Sequence, residues 1–406
     1  MKCDQAVTNI LVQKYQRKFK EVAVMRSQKR LGKLVVGVWV SLCVAGGAVT
    51  VTRASAANLY VDASATGANN GSSWPNAYTS LQTALTAAVS GDTIHVAKGT
   101  YKPTTDTDRT KTFQLKNGVT VYGGYPTGGG TRDGATNVTT LSGDIGAGSN
   151  NSDNSYHVVT GSGTDATAVL DGFTITAGNA DLWNNPYWNP DGIGGGMNID
   201  AGSPTLSNLV ISNNSALFYG GGMFNTGGAP NLTHVTFNNN TVTRGQGGGM
   251  YNNASPTLTN VTFSGNLATY LYGDGGGMST ASGSPVLTNV TFSNNSTNGQ
   301  DQPVSGGPGG GGGMKNSGGS PVLTNVTFSN NSAVGSGGGF NNSGGSPVLT
   351  NVTFSNNSTS GGAGGGMNNQ ASGSATLTNC TFSGNVGRGL STISPKISAF
   401  GCRLDT

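Results

Sequence analysis

Residues able to do acid–base or metal chemistry are few in this chain and unevenly placed. Glycoside hydrolysis uses two carboxylates facing one bond, and a lyase uses a base with a cation nearby to stabilise the developing carbanion. The sole glutamate, Glu21, falls within the first 56 residues. From Gly202 to Val386 the acids are Asp274 and Asp301 and the bases are Arg244 and Lys315. The nearest acidic group is Asp171, Asp181, Asp191 and Asp200, of which three lie in or beside an insertion. Asp144, Asn151 and Asp153 share one polar loop, Gly143 to Tyr156, and are candidate Ca²⁺ ligands, although the D-x-D-x-D-G order of a calcium loop is absent. His95 and His157 stand alone on strand candidates, where a structural role is the ordinary one. Nothing in this set requires a cofactor, and the balance is against catalysis.

Large aromatics offer a different chemistry, the stacking of apolar faces with polar tips. Trp183, Tyr187, Trp188, Phe218, Tyr219, Tyr270 and Tyr272 all fall in segments of variable length between two fixed motifs. If those segments leave the fold at one corner, their rings line one edge and could bind sugar or a protein. The competing reading is that they pack over a glycine-rich corner to cover it.

The fixed motifs belong to a repeat. Ser346 to Met367, SPVLTNVTFSNNSTSGGAGGGM, holds three short apolar pieces separated by asparagines and glycines, residues that tolerate left-handed backbone. Its central apolar position recurs as Ile211, Phe237, Phe263, Phe292, Phe328, Phe354 and Phe382, in steps of 26, 26, 29, 36, 26 and 28 residues. Three residues further on lie Asn214, Asn240, Asn266, Asn295, Asn331, Asn357 and Asn385. The glycine run ends in phase at Met197, Met223, Met250, Met278, Met314, Phe340 and Met367, and Leu170 to Ile175 is a degenerate earlier copy. A period of this length means a solenoid. The spacing also fits the opening of a leucine-rich repeat, but the return segment is glycine, serine and asparagine, with no helical stripe. Coils of three short parallel strands suit it better. Each Phe then stacks on the next, and the asparagines form ladders with amides bonded above and below.

The paired FSNN and GGGM motifs resemble the F-x-x-N and G-G-[small]-[apolar] repeats of chlamydial polymorphic outer-membrane proteins, which occur widely in bacterial secreted β-helix proteins. The resemblance covers about Leu170 to Asn385. It implies an all-β, right-handed, single-stranded parallel β-helix displayed at a cell surface, often with adhesive roles. Family members commonly end in a membrane barrel or sorting domain, and no such pattern follows Asn385.

Residues 1–56 read as a targeting segment. Arg26, Lys29, Arg30 and Lys33 precede the apolar run Leu34 to Val51, and Ala54-Ser55-Ala56 offers a cleavage site before Ala57, with translation starting at Met25. An uncleaved membrane anchor is the alternative; Cys43 lacks the small residues before it that a lipoprotein signal needs. This segment holds ten of the 21 lysines and arginines and two of the 17 acids. The remainder keeps 11 bases and 15 acids, a net charge of −4, and no nucleic-acid partner is implied.

Residues 57–101 carry a strand at Leu59 to Val61, an amphipathic helix over Ser80 to Val89 and the start of a coil at Gly91 to Val96. They resemble the opening segment of pectate-lyase-like β-helices, where a helix caps the open end. Thr112 to Leu115, Val119 to Gly123, Thr139 to Leu141 and Tyr156 to Val159 are strand candidates of irregular coils. The β-helix is expected over 102–386, with regular repeats from 170 and an irregular tail over 387–406. Cys380 takes the place of Val352 in its repeat, which favours a buried thiol over a disulfide. The function expected is a secreted or cell-surface scaffold that binds a glycan or surface protein without catalysis and has no membrane span in the mature chain. A polysaccharide-active enzyme and a passive spacer are the alternatives.

Overall fold

The computed structural model describes residues 56–148, 150–183, 190–269, 273–298, 309–361, 363–370, 373–387, 389–392 and 397–404. From Ala56 onward the chain forms one compact unit, a parallel β-helix.

The repeat that begins near Ser346 shows how the sequence makes a coil. Val348–Thr350 and Thr353–Ser355 lie in a first sheet, Ser358–Thr359 in a second and Met367–Asn369 in a third. Strand alternation buries Leu349 and Phe354 and turns Val348, Thr350, Thr353 and Ser355 outward. Asn351, at φ 56°, bends the chain between the first two strands, and Asn356, at φ 55°, turns it into the second sheet. Phe354 then pairs in register with Phe328 on one side and Phe382 on the other. Rings from Phe237 to Phe382 form one stack, with centroids 4.6 to 4.9 Å apart.

The asparagine pair divides its work. Asn356 is exposed and left-handed, whereas Asn357 points inward and is fully buried. The buried column forms the expected ladder: Asn331 Nδ2 donates to Asn357 Oδ1 at 2.9 Å, and Asn357 Nδ2 to Asn385 Oδ1 at 3.0 Å. Two further ladders appear. Asn316, Asn342 and Asn369 are linked at 2.7 and 2.6 Å inside the third sheet. Asn289, Asn325 and Asn351 are linked at 3.1 Å along the exposed bend, with His234 standing in for asparagine in an earlier coil. Asn351→Ala is expected to cost about 1–2 kcal/mol, the penalty for an ordinary side chain in left-handed backbone, and Asn351→Gly less. Equal losses on urea unfolding would show that the amide ladder, not the backbone, sets this corner.

The glycine triplet before each inward Met, or Phe340 in its coil, has two causes. Gly337 is left-handed, at φ 70°. Gly338 and Gly339 are crowded instead: an added Cβ would lie 2.3 Å from the Ser358 carbonyl oxygen and 2.5 Å from that of Gly366, respectively. Backbones of successive coils touch there, so no side chain fits.

At the N-terminal end the expected helix forms over Leu81–Ala87, with the Ser80 side chain capping the Thr83 amide. It buries Leu81, Ala84 and Leu85 in the same core as the coils, and Lys116 Nζ donates to the Leu85 and Ala88 carbonyls at its C-terminus. The first coil's exposed core is thereby covered. Three irregular-coil strands form close to expectation, at Phe113–Gln114, Thr120–Tyr125 and Thr139–Ser142, while the fourth is displaced to Val159–Thr160. Among the described residues no helix is long and apolar enough to cross a membrane.

Candidate binding site on the outer face of the first coils

In the first coils, unlike the regular repeats, the outward positions of the first sheet carry aromatic and ionisable groups. Register places Tyr60 over His95, His95 over Tyr122 and Tyr122 over Asp171, one coil apart. Their neighbours Val61, Ile94, Val96, Val121 and Leu170 point inward and are buried, so alternation fixes which face these side chains take. Trp74, from the loop after the first strand, packs on Tyr60 at 5.0 Å and on Tyr125 at 5.4 Å.

His95 is engaged at both ring nitrogens, by the Tyr125 hydroxyl and by Asn58 Oδ1, each at 2.9 Å. Burial, and then the positive charge of Arg132, hold it below the usual histidine range, so it is neutral at pH 7. A ring held on both sides has little freedom to act as a base.

Arg132 is the centre of the patch. Its Nε donates to the Gly123 carbonyl at 2.6 Å, its Nη2 pairs with Asp171, and its guanidinium lies 4.9 Å from the Tyr122 ring centroid. Asp171 also accepts from Asn208 Nδ2 at 3.1 Å. Gly172 makes room for this arrangement: at φ 84°, an added Cβ would sit 2.3 Å from Arg132 Nη2. Beside Arg132 opens a cleft of about 540 Å³, walled by Ala135, Val138, Phe173, Asn208 and Val210. Val138 and Val210 are 50% and 40% exposed. Arg132 is the one ionisable group of the cleft wall, and the residues forming that wall include no carboxylate. A guanidinium has five N–H donors, so Arg132 keeps capacity beyond its bonds to Gly123 and Asp171.

The variable corner lies elsewhere, over the third sheet. Trp183 is 54% exposed, packs on Phe218 at 5.6 Å and carries the Arg244 guanidinium 4.6 Å above its ring. Phe218 is itself buried with Ile193, Phe224 and Tyr251, and Tyr219 packs against Tyr251 at 4.5 Å. Tyr187, Trp188, Tyr270 and Tyr272 lie outside the described residues. Phe224 and Tyr251, stacked at 5.4 Å, escaped the sequence reading. Each directly follows the inward Met of its coil, so alternation turns it out of the coil, where it is buried beside Ile193 and Phe218.

In the loop 143–156, Asp153 accepts from the Ala147 amide at 2.8 Å and Asp144 lies 4.0 Å from Lys102 Nζ. Asn151 begins a short 3-10 turn. Among the described residues no three His, Cys, Asp or Glu side chains are grouped to hold a metal ion.

No protein-family model matches the chain, and no curated protein matches it. Among solved structures it is similar to the pectate lyase Pel9A, at 16% identity and a TM-score of 0.45, covering 86% of this chain and 79% of that one. A pectin methylesterase from Aspergillus niger aligns at 13% identity and a TM-score of 0.28, covering 87% of each chain. These likenesses concern the course of the backbone, and the strand register itself defines the parallel β-helix.

Proposed function

We propose that this protein is an extracellular or cell-surface β-helix scaffold that binds an acidic glycan chain, without catalysis, on the outer face of its first coils. The observation that carries this reading is the Arg132 cleft, where one guanidinium, itself 4.9 Å from the Tyr122 ring centroid, meets an exposed apolar wall. A guanidinium pairs bidentately with carboxylates, and aromatic faces stack on sugar rings. Hydrolysis would need two facing carboxylates, and the nearest one, Asp171, is committed to Arg132 and Asn208. The targeting pattern of residues 26–56 and the resemblance to surface-displayed repeat proteins support the location.

Titration of the protein with uronate-containing and neutral oligosaccharides tests the reading. Arg132→Gln is expected to weaken uronate binding about ten- to a hundredfold, the worth of a charge-assisted hydrogen bond, with Trp183→Ala/Trp188→Ala unchanged. Binding at Arg132 should weaken as salt rises, because screening acts on charges. Salt-independent binding lost in the tryptophan double variant would move the site to the variable corner. Release of unsaturated or reducing ends would replace the scaffold with an enzyme, and failure to bind any glycan would leave a spacer.

A further inference from the structure

The chain's cysteines are Cys3, Cys43, Cys380 and Cys402. The last two share one position of the coil. Phe400 pairs with Thr378 and Arg403 with Thr381, so Cys402 stands over Cys380 one coil further on. The Arg403 amide donates to the Cys380 carbonyl at 2.8 Å, which pins the strands at the cysteines themselves. In earlier coils this inward position holds Val235, Val261, Val290, Val326 and Val352, all buried. Cysteine replaces valine in the last two described coils and in none of the preceding regular ones.

Neighbouring parallel strands lie roughly 4.8 Å apart, within the roughly 4.4–6.8 Å that a disulfide spans between Cα atoms. Both thiols are free and adopt one pose: Cys380 Sγ lies 3.6 Å from the Thr378 carbonyl oxygen, and Cys402 Sγ lies 3.6 Å from that of Phe400. Closing the bond requires the two sulfurs to turn from these carbonyls toward one another. Cys380 is fully buried and Cys402 half-buried, so the second is the one that can move and be reached.

We propose that Cys380 and Cys402 form a cross-strand disulfide in an oxidising compartment, and that this bond staples the last described coil to the rod. That coil needs holding. Phe400 and Leu404 are 64% and 59% exposed, and among the described residues no strand pairs with its outer edge. In the reaction, the Cys402 thiolate attacks a small disulfide such as glutathione disulfide and releases one thiolate. Cys380 then loses its proton and attacks Cys402 Sγ, expelling the second thiol. Both electrons and both protons leave with the oxidant, which becomes two thiols. Burial pushes the Cys380 thiol up to about 11, which makes the second step the slow one and one that quickens as pH rises.

The test is a redox titration of the full chain in glutathione buffers, with acid quenching, alkylation of the unfolded protein and fragment mapping. The expected result is a fragment pair joining residue 380 to residue 402, lighter by two hydrogens, that accumulates as the buffer becomes oxidising. Amide exchange over 397–400 should slow at least tenfold in that form, and Cys402→Ser should leave Cys380 reduced at every poise. Alkylation of both cysteines at all poises would overturn the proposal, as would finding Cys402 solely as a glutathione adduct or bound to a second chain. Unchanged exchange in the cross-linked form would overturn the staple. None of these outcomes depends on glycan binding or on where the protein resides.

Discussion

Phe328→Ala is expected to lower the unfolding free energy by about 3–5 kcal/mol, the cost of deleting a large buried side chain whose surroundings relax incompletely. Phe328 is fully buried, with ring centroids 4.8 Å from Phe292, 4.9 Å from Phe354 and 6.0 Å from Phe340. Collapse onto the gap is hindered because the coils above and below are fixed at the strand spacing by their own ladders. In a solenoid each coil meets only its neighbours, so the damage should be local. Chemical denaturation gives the magnitude, and amide exchange should quicken first around Phe292 and Phe354. A loss below about 0.5 kcal/mol, the scale of an ordinary surface change, would mean that the aromatic stack is not what holds the coils in register. Phe328→Leu, which keeps most of the volume, should cost less than Phe328→Ala.

Asn331→Ala is expected to cost about 2–4 kcal/mol, from several buried groups losing their partner at once. Asn331 Nδ2 donates to Asn357 Oδ1 and to the Phe292 carbonyl, each at 2.9 Å. Its Oδ1 accepts from the Asn295 amide and from Asn295 Nδ2, each at 3.0 Å. Truncation takes the partner from the Asn295 backbone amide and one of the two bonds from Asn295 Nδ2, which keeps the Phe263 carbonyl, and removes one donor from the Phe292 carbonyl. The control is the neighbouring residue: Asn330, exposed and left-handed at φ 55°, should cost about 1–2 kcal/mol when changed to Ala. Asn331→Asp sharpens the test. Its second oxygen would face two acceptors, so the folded state would favour the protonated acid. A carboxyl whose folded pKa is raised destabilises progressively as pH climbs above its unfolded value, about 3.9. Thus Asn331→Asp should be closer to wild type at pH 3 than at pH 7. A neutral Asn331→Ala in urea unfolding would remove the ladder from the account of this fold.

The repeats made the fold legible before any coordinates, for a physical reason. A solenoid stacks each coil on a copy of itself, so an inward position must suit its own kind above and below. Phe, Leu, Asn and Met therefore return in phase, and the period exposes them. The corners were legible too, since asparagine and glycine are the residues that left-handed backbone admits. The ladder column was legible as well: asparagine returns three residues after each central apolar position, and it is this column, with Asn357, that points inward, while Asn356 takes the left-handed bend. The Arg132 cleft was hidden altogether. Tyr60, Trp74, His95, Tyr122, Arg132, Asp171 and Asn208 come from irregular coils of unequal length, and without strand register nothing in their spacing brings them together. The same holds for Cys402. The repeat assigned Cys380 to the valine column, but the last coil has no motif to count from, and its pairing placed the second thiol over the first. What recurs along the axis is written locally in each coil. What meets across coils of different length is decided by backbone pairing alone.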